Sequence, residues 1–335
     1  MKNKFIGYYK LSEDQFQKIW KECVFVFDAC ALLNLYGYSS STRDEYLSAL
    51  EGVSERVWLP YQFALEYQKN RHKAIMEQVK NYARVEGQLK QIYEQEFSPK
   101  TKHPHISKRD LNSFARIRSN LEAGRKVHEA LLSDDPYFER ITKIFKQSVG
   151  EPPLEEELTR LYQQADSRYK QQRPPGFADL QEKGLPDAYG DYIGWYQMLQ
   201  HGKKLDKPMI FVTDDAKEDW WRIVEKKTVG PRPELVAEFQ HECNREFYMY
   251  SSDRFVKYAN QYLSQSVSRE AIQEIAAYME IHVSSQALKP LKDELIDLKS
   301  ATGQTIDEPA KPSEAELTKT LQATSGAEML KELQG

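Results

Sequence analysis

The sequence predicts an α/β fold: a parallel sheet flanked by helices, with a long helical insertion and a helical C-terminal extension. Two observations carry this. Cys23-Val24-Phe25-Val26-Phe27 and Pro208-Met209-Ile210-Phe211-Val212-Thr213 are continuous apolar runs rich in β-branched and aromatic residues, as strands buried on both faces must be. Each run leads straight into an aspartate, Asp28 and Asp214, and helical patterns separate the two.

The elements follow in order. Ser39 to Ser41 offer N-caps to a short helix through Ala49, and Arg56 to Leu59 form a second short strand stopped by Pro60. Pro60 suits the first turn of a helix that carries Phe63, Leu65, Glu66 and Tyr67 and runs to about Phe97. Helical patterns cover Ser107 to Leu132, Pro136 to Ser148 and Pro153 to Tyr169, with no strand among them. After the break at Gly184 to Pro186 come a helix from Asp187 to His201, the strand ending at Thr213, a helix from Pro233 to Arg245, a strand at Phe247 to Tyr250 and a helix capped by Ser252. Residues 1–72 and 176–266 are therefore expected to form one discontinuous α/β domain, with 73–175 inserted as a helical bundle. Residues 267–335 are expected to be an extension, with two amphipathic helices over Ser268 to Lys299 and a linker near 300–313 before a last weak helix.

Composition narrows the class. Of 335 residues, 40% are hydrophobic and 29% charged, and no stretch approaches the roughly 18 to 20 apolar residues that span a bilayer. Met1 to Trp20 lacks an apolar signal core, so a cytoplasmic protein is expected. Cys23, Cys30 and Cys243 form no C-x-x-C pair, which speaks against a disulfide framework and a zinc knuckle. The net charge of −4 is unevenly spread: Gln68 to Gly150 has 17 Lys or Arg against 10 Asp or Glu, whereas Ser268 to Gly335 has 7 against 12.

The acids carry the chemistry. In open parallel sheets, ligands bind just beyond the carboxyl ends of the strands, so Asp28 and Asp214 point toward one crevice. Asp187 and Asp191 are four apart on the expected helix and would share a face, while Glu66 lies in the helix after the second strand. Like charges gathered in a cleft repel one another, and a divalent cation is the usual compensation. All-oxygen ligands favour Mg²⁺ or Mn²⁺, which polarise a phosphodiester and hold a hydroxide near neutral pH.

The segments Val24 to Tyr36, Leu59-Pro60-Tyr61 with Glu66, Gly190-Asp191-Tyr192-Ile193-Gly194-Trp195, and Phe211-Val212-Thr213-Asp214-Asp215-Ala216-Lys217-Glu218-Asp219-Trp220-Trp221 resemble, in residues and in order, the bacterial PIN-like domain family. The resemblance implies a Rossmann-like sheet and a metal-dependent nuclease in which Asp28, Glu66, Asp191 and Asp214 fall where the family keeps its metal-binding acids. It also suggests a bacterial toxin or antiphage-defence setting. The expectation is an endonuclease cutting RNA rather than DNA, with Asp187 and Asp215 as neighbouring ligands and Thr213 and Lys217 as substrate contacts. The insertion and the C-terminal extension would serve strand guidance, self-association or a protein partner.

Each feature has a plainer reading. An Asp after a strand is commonly an N-cap, Asp187 after Pro186 could cap its helix, and Glu66 could be an ion-paired surface residue. Thr213 at a strand end and Lys217 on a helix are ordinarily structural and solvated, respectively. Trp220 and Trp221, expected on a helix, could stack bases, with one facing the core. Lys69-Arg71-Lys73, Lys108-Arg109, Arg116-Arg118 and Arg125-Lys126 could track a phosphate backbone or be exposed helix faces. His103, His105 and His128 lack the spacing of a metal motif. A haloacid-dehalogenase-like phosphatase would need a second Asp where Cys30 stands; a catalytically inactive scaffold is the third reading.

Overall fold

In the computed structural model, Met1 and residues 4–97, 106–181 and 183–281 are described. The helix α1 (Glu13–Glu22) opens with a capping box in which Ser12 and Gln15 satisfy each other's backbone N–H groups. It leads into β1 (Val24–Phe27), then α2 (Ala29–Leu33), α3 (Ser40–Glu51) and β2 (Val57–Trp58). The long α4 (Tyr61–Ile92) is followed by α5 (Lys108–Ala130), α6 (Pro136–Ile144) and α7 (Glu155–Lys170). Then come α8 (Gly190–Leu205), β3 (Met209–Val212), β4 (Trp221–Val224), β5 (Lys227–Pro231), α9 (Pro233–Cys243), β6 (Phe247–Tyr250) and α10 (Ser252–Leu263). A last helix, α11, covers 269–281. His103, His105, the second amphipathic helix, the linker near 300–313 and the terminal helix lie outside the described residues.

The main sheet has the order β2-β1-β3-β6, all parallel, with Phe27 beside Val212 and Val212 beside Tyr250. The chain leaves β1 for β2 on one side and returns to β3 on the other, so the topological switch point lies between β1 and β3, just where Asp28 and Asp214 emerge. All four residues of β1 and of β3 are buried because helices cover both faces. Alternation divides the aromatics between those faces. Phe25 and Phe27 pack on Phe255 of α10, and Phe25 also on Trp20 of α1. Phe211 meets Phe63 of α4 and Trp220, while Phe247 meets Trp195 of α8.

The helical middle is continuous with this core. α5 runs back along α4: Tyr93 pairs with Phe114, Tyr82 with His128, and Arg125 reaches Glu86 at 3.3 Å. Asp135 caps α6 through the backbone N–H groups of Tyr137 and Phe138 and accepts from Arg71 and from the Tyr36 hydroxyl, both at 2.6 Å. Ile75, Leu131, Ile141 and Phe145 join the same apolar cluster as the sheet, and Met1–His282 forms one compact unit.

Three local expectations are corrected. The helix expected from Asp187 begins at Gly190, after a short 3-10 turn, Asp187–Tyr189. Lys217, Trp220 and Trp221 are not helical: Lys217 lies in the irregular segment after β3, Trp220 in a turn, and Trp221 starts the antiparallel hairpin β4–β5, which the sequence did not announce. Its turn places Glu225 and Lys226 at φ of 49° and 65°, a conformation usually signalled by Asn-Gly, and the Glu-Lys pair gives no such signal. Finally, Ser251 rather than Ser252 precedes the first residue of α10.

Candidate active site

Asp28 leaves β1 only 6% exposed, with Oδ2 accepting from Thr213 Oγ1 at 2.7 Å and from Cys30 Sγ at 3.1 Å. Burial pushes its carboxyl above the ordinary range, against the pull of those two donors. Asp191 occupies the first turn of α8, is 5% exposed and accepts from Trp220 Nε1 at 3.3 Å. Burial, and then the neighbouring Asp179, hold it well above the usual carboxylate range.

Glu66 reaches the same place from α4 because α8 carries glycines where the helices meet. A methyl at Gly190 would overlap the Glu66 carboxylate, and one at Gly194 would overlap the Phe63 ring. Gln62 Nε2 donates to Glu66 Oε1 at 2.7 Å, yet burial, helped by Asp28, raises the carboxyl to about 7.

The two aspartates after β3 go different ways. Asp214 turns toward α10 and α2: its Oδ1 accepts from Ser252 N at 2.8 Å, and its Oδ2 from Ser252 Oγ at 2.8 Å and Asn34 Nδ2 at 2.9 Å. Burial raises it to about 6 despite these donors. Asp215 turns toward α8, and its carboxylate comes within 4.8 Å of those of Asp191 and Asp179. Asp179, fully buried in the 3-10 turn Phe177–Gln181, is the member that sequence reasoning missed. Asp219, also fully buried, accepts from Gly176 N at 2.9 Å and Ala178 N at 3.0 Å, fixing the loop that delivers Asp179. Gly176 sits at φ +91°, and a side chain there would meet the Asp191 Cβ.

Two cations sit among these acids. Lys183 Nζ lies 2.5 Å from Asp179, while Lys217 contacts Asp179 and stands 3.3 Å from Asp215. Burial pulls both ammonium groups down, but Asp191, Asp179 and, for Lys217, Asp215 overrule it and push them up. The structure thus draws Asp28, Glu66, Asp191 and Asp215 into one neighbourhood with Asp179. Asp214 is not a member of the close triad, and its carboxylate is held by Ser252 and Asn34. Asp187 is exposed and takes no part in the close triad. The Thr213 hydroxyl donates to Asp28 and accepts from Asp215 N at 3.1 Å, so it organises both acids. Trp220 and Trp221 are both buried, and Trp221 Nε1 donates to the Asp215 carbonyl at 2.6 Å. His128 packs on Tyr82 and lies within hydrogen-bonding distance of the backbone carbonyls of Gly124 and Tyr36.

An all-oxygen donor set from Asp179, Asp191 and Asp215, largely desolvated and beside more carboxylates, fits a hard divalent cation. One buried carboxylate oxygen beside it, Asp219 Oδ1, has no hydrogen-bond partner among the described residues. The described residues include no helix long and apolar enough to cross a membrane. No curated protein and no solved structure matches the chain. The family model described as a PIN like domain matches residues 24–235, which span β1, Glu66, Asp179, Asp191 and the acids after β3. With more than half of its length matched and a parallel sheet that gathers these acids at its switch point, the chain belongs to the PIN-like domain family.

Proposed function

We propose that this protein is a metal-dependent endonuclease that hydrolyses phosphodiester bonds, with RNA favoured over DNA. The observation that carries the reading is the convergence of Asp179, Asp191 and Asp215, from three separate stretches of chain, to within 4.8 Å of one another. Such a group is costly unless a cation compensates it. Asp179, Asp191 and Asp215 would hold Mg²⁺ or Mn²⁺, with Asp28 and Glu66 beside them. A bound divalent ion supplies charge stabilisation for the phosphoryl oxygens and lowers the pKa of water. The chain's own residues orient the reactants: Thr213 fixes Asp28, Trp220 fixes Asp191, and Gln62 fixes Glu66. Asp214, tied to Asn34 and Ser252, supports the edge of the site. A toxin or antiphage-defence role belongs to the same reading, and growth arrest on expression would register it.

The test is incubation of purified protein with labelled RNA and DNA, single- and double-stranded, with Mg²⁺, Mn²⁺ or chelator. Cleavage that needs metal and vanishes in Asp28→Asn supports the reading; cutting that survives both chelator and the substitution refutes it. One observation favours a second reading, an inactive scaffold: Lys183 and Lys217 already neutralise part of the acidic charge. Failure to bind Mn²⁺ by calorimetry, together with a stable protein complex, would decide for it.

A further inference from the structure

α4 joins two chemically opposite regions. Glu66, near its start, belongs to the acidic centre, and Lys73, Lys80 and Arg84 follow at intervals of seven, seven and four residues. At 100° per residue, these four positions fall within an arc of about 40°, and the stripe from Glu66 to Arg84 is about 27 Å long. Lys73, Lys80 and Arg84 are exposed. They form no ion pair among the described residues; Arg84 contacts only the Gln88 amide, at 3.4 Å.

Several other cations of the helical middle are instead paired with acids. Arg71 is bound to Asp135 at 2.6 Å, Arg125 to Glu86 and Glu129, Lys126 to Glu122 at 2.9 Å, and Arg140 to Asp44 and Glu51. A cavity of about 220 Å³ adjoins the stripe: Cys30, hydrogen-bonded to Asp28, and Asn34 line one part, and Asn70, Lys73, Glu77 and Tyr278 another.

We propose that a single polynucleotide strand leaves the acidic centre through this cavity and runs along the Glu66 face of α4, with Lys73, Lys80 and Arg84 contacting its phosphates. The inference rests on the nuclease reading for the presence of a polynucleotide and adds the path it follows. Charge complementarity selects the occupant, because a phosphate backbone is repelled at the acids and needs cations as soon as it emerges.

The test measures binding of a labelled 20-nucleotide single-stranded RNA to the full chain in chelator, over a range of salt concentrations. Each phosphate contact on a single strand contributes about 0.7 to the salt exponent, so K73Q/K80Q/R84Q should lower it by about 2. The charge-preserving K73R/K80R/R84K should restore it. An unchanged exponent in the glutamine variant, or no measurable affinity in the wild type, overturns the path. Because binding is read without metal, the two readings fail separately. A wild type that binds through the stripe but never cuts defeats the nuclease, whereas one that cuts while its variant keeps the exponent defeats the path.

Discussion

The carboxyl edge of the sheet and the outer length of α4 share a helix, yet they are built on opposite principles. At the edge, acids from the end of β1, the Phe177–Gln181 turn, α8 and the segment after β3 are buried or half-buried, and their partners are fixed within hydrogen-bonding distance. Along α4, exposed cations stand in line and touch little. Chemistry at a fixed point requires long-range convergence, with desolvation and repulsion as its cost; following a flexible polyanion requires only helical periodicity. The first region should therefore be sensitive to single-atom changes and the second only to summed charge.

The largest expected effect separates the buried acid from its exposed neighbour. Asp191→Asn should lower the cleavage rate by about 10²-fold or more and weaken Mn²⁺ binding by calorimetry, whereas Asp187→Asn should leave both nearly unchanged. Equal losses in the two variants would erase the distinction between triad and periphery.

Next in size is the contrast between Asp214 and Asp215. Asp214→Ala strips the acceptor from Ser252 N, Ser252 Oγ and Asn34, and should cost about 2 to 4 kcal/mol in urea unfolding. Asp215→Asn should instead reduce Mn²⁺ affinity while the unfolding midpoint stays close to that of the wild type. The reverse pattern would restore Asp214 as the metal ligand.

The smallest effect is a pH dependence. Glu66 titrates near 7 in the fold against an ordinary value of 4.5, so between those pH values the folded state binds the extra proton. Its contribution is full below pH 4.5 and is lost as the pH rises through about 7. In chelator, the stability of Glu66→Gln relative to the wild type should therefore grow from pH 4.5 to about 7 and level off above it. A flat difference would mean that the carboxyl is not desolvated.

Much of this was legible in the sequence, for physical reasons. The runs at Val24–Phe27 and Met209–Val212 could only be doubly buried strands, and their shared carboxyl edge placed Asp28 and the Asp214-Asp215 pair together. Which of that adjacent pair faces the centre was not legible, because one residue's shift along an extended chain reverses the side chain's direction. Asp179 was hidden in a polar turn without periodicity; its nearest signal was Pro174-Pro175-Gly176, which marks a sharp reversal but not its destination. Arg71 and Arg125, read from sequence within phosphate-tracking clusters, were drawn into internal pairs by partners remote in the chain, and that required the fold to see.

The family match stops at residue 235, but Ser252, which holds Asp214 with both its backbone N–H and its hydroxyl, lies beyond it. β6, which shields the open side of β3, lies beyond it as well. A recombinant fragment cut at the end of the matched segment would leave a bare sheet edge prone to intermolecular pairing and an aspartate stripped of two donors. Domain borders drawn from similarity alone would thus yield insoluble material, and excision or grafting of this module should retain residues through at least α10.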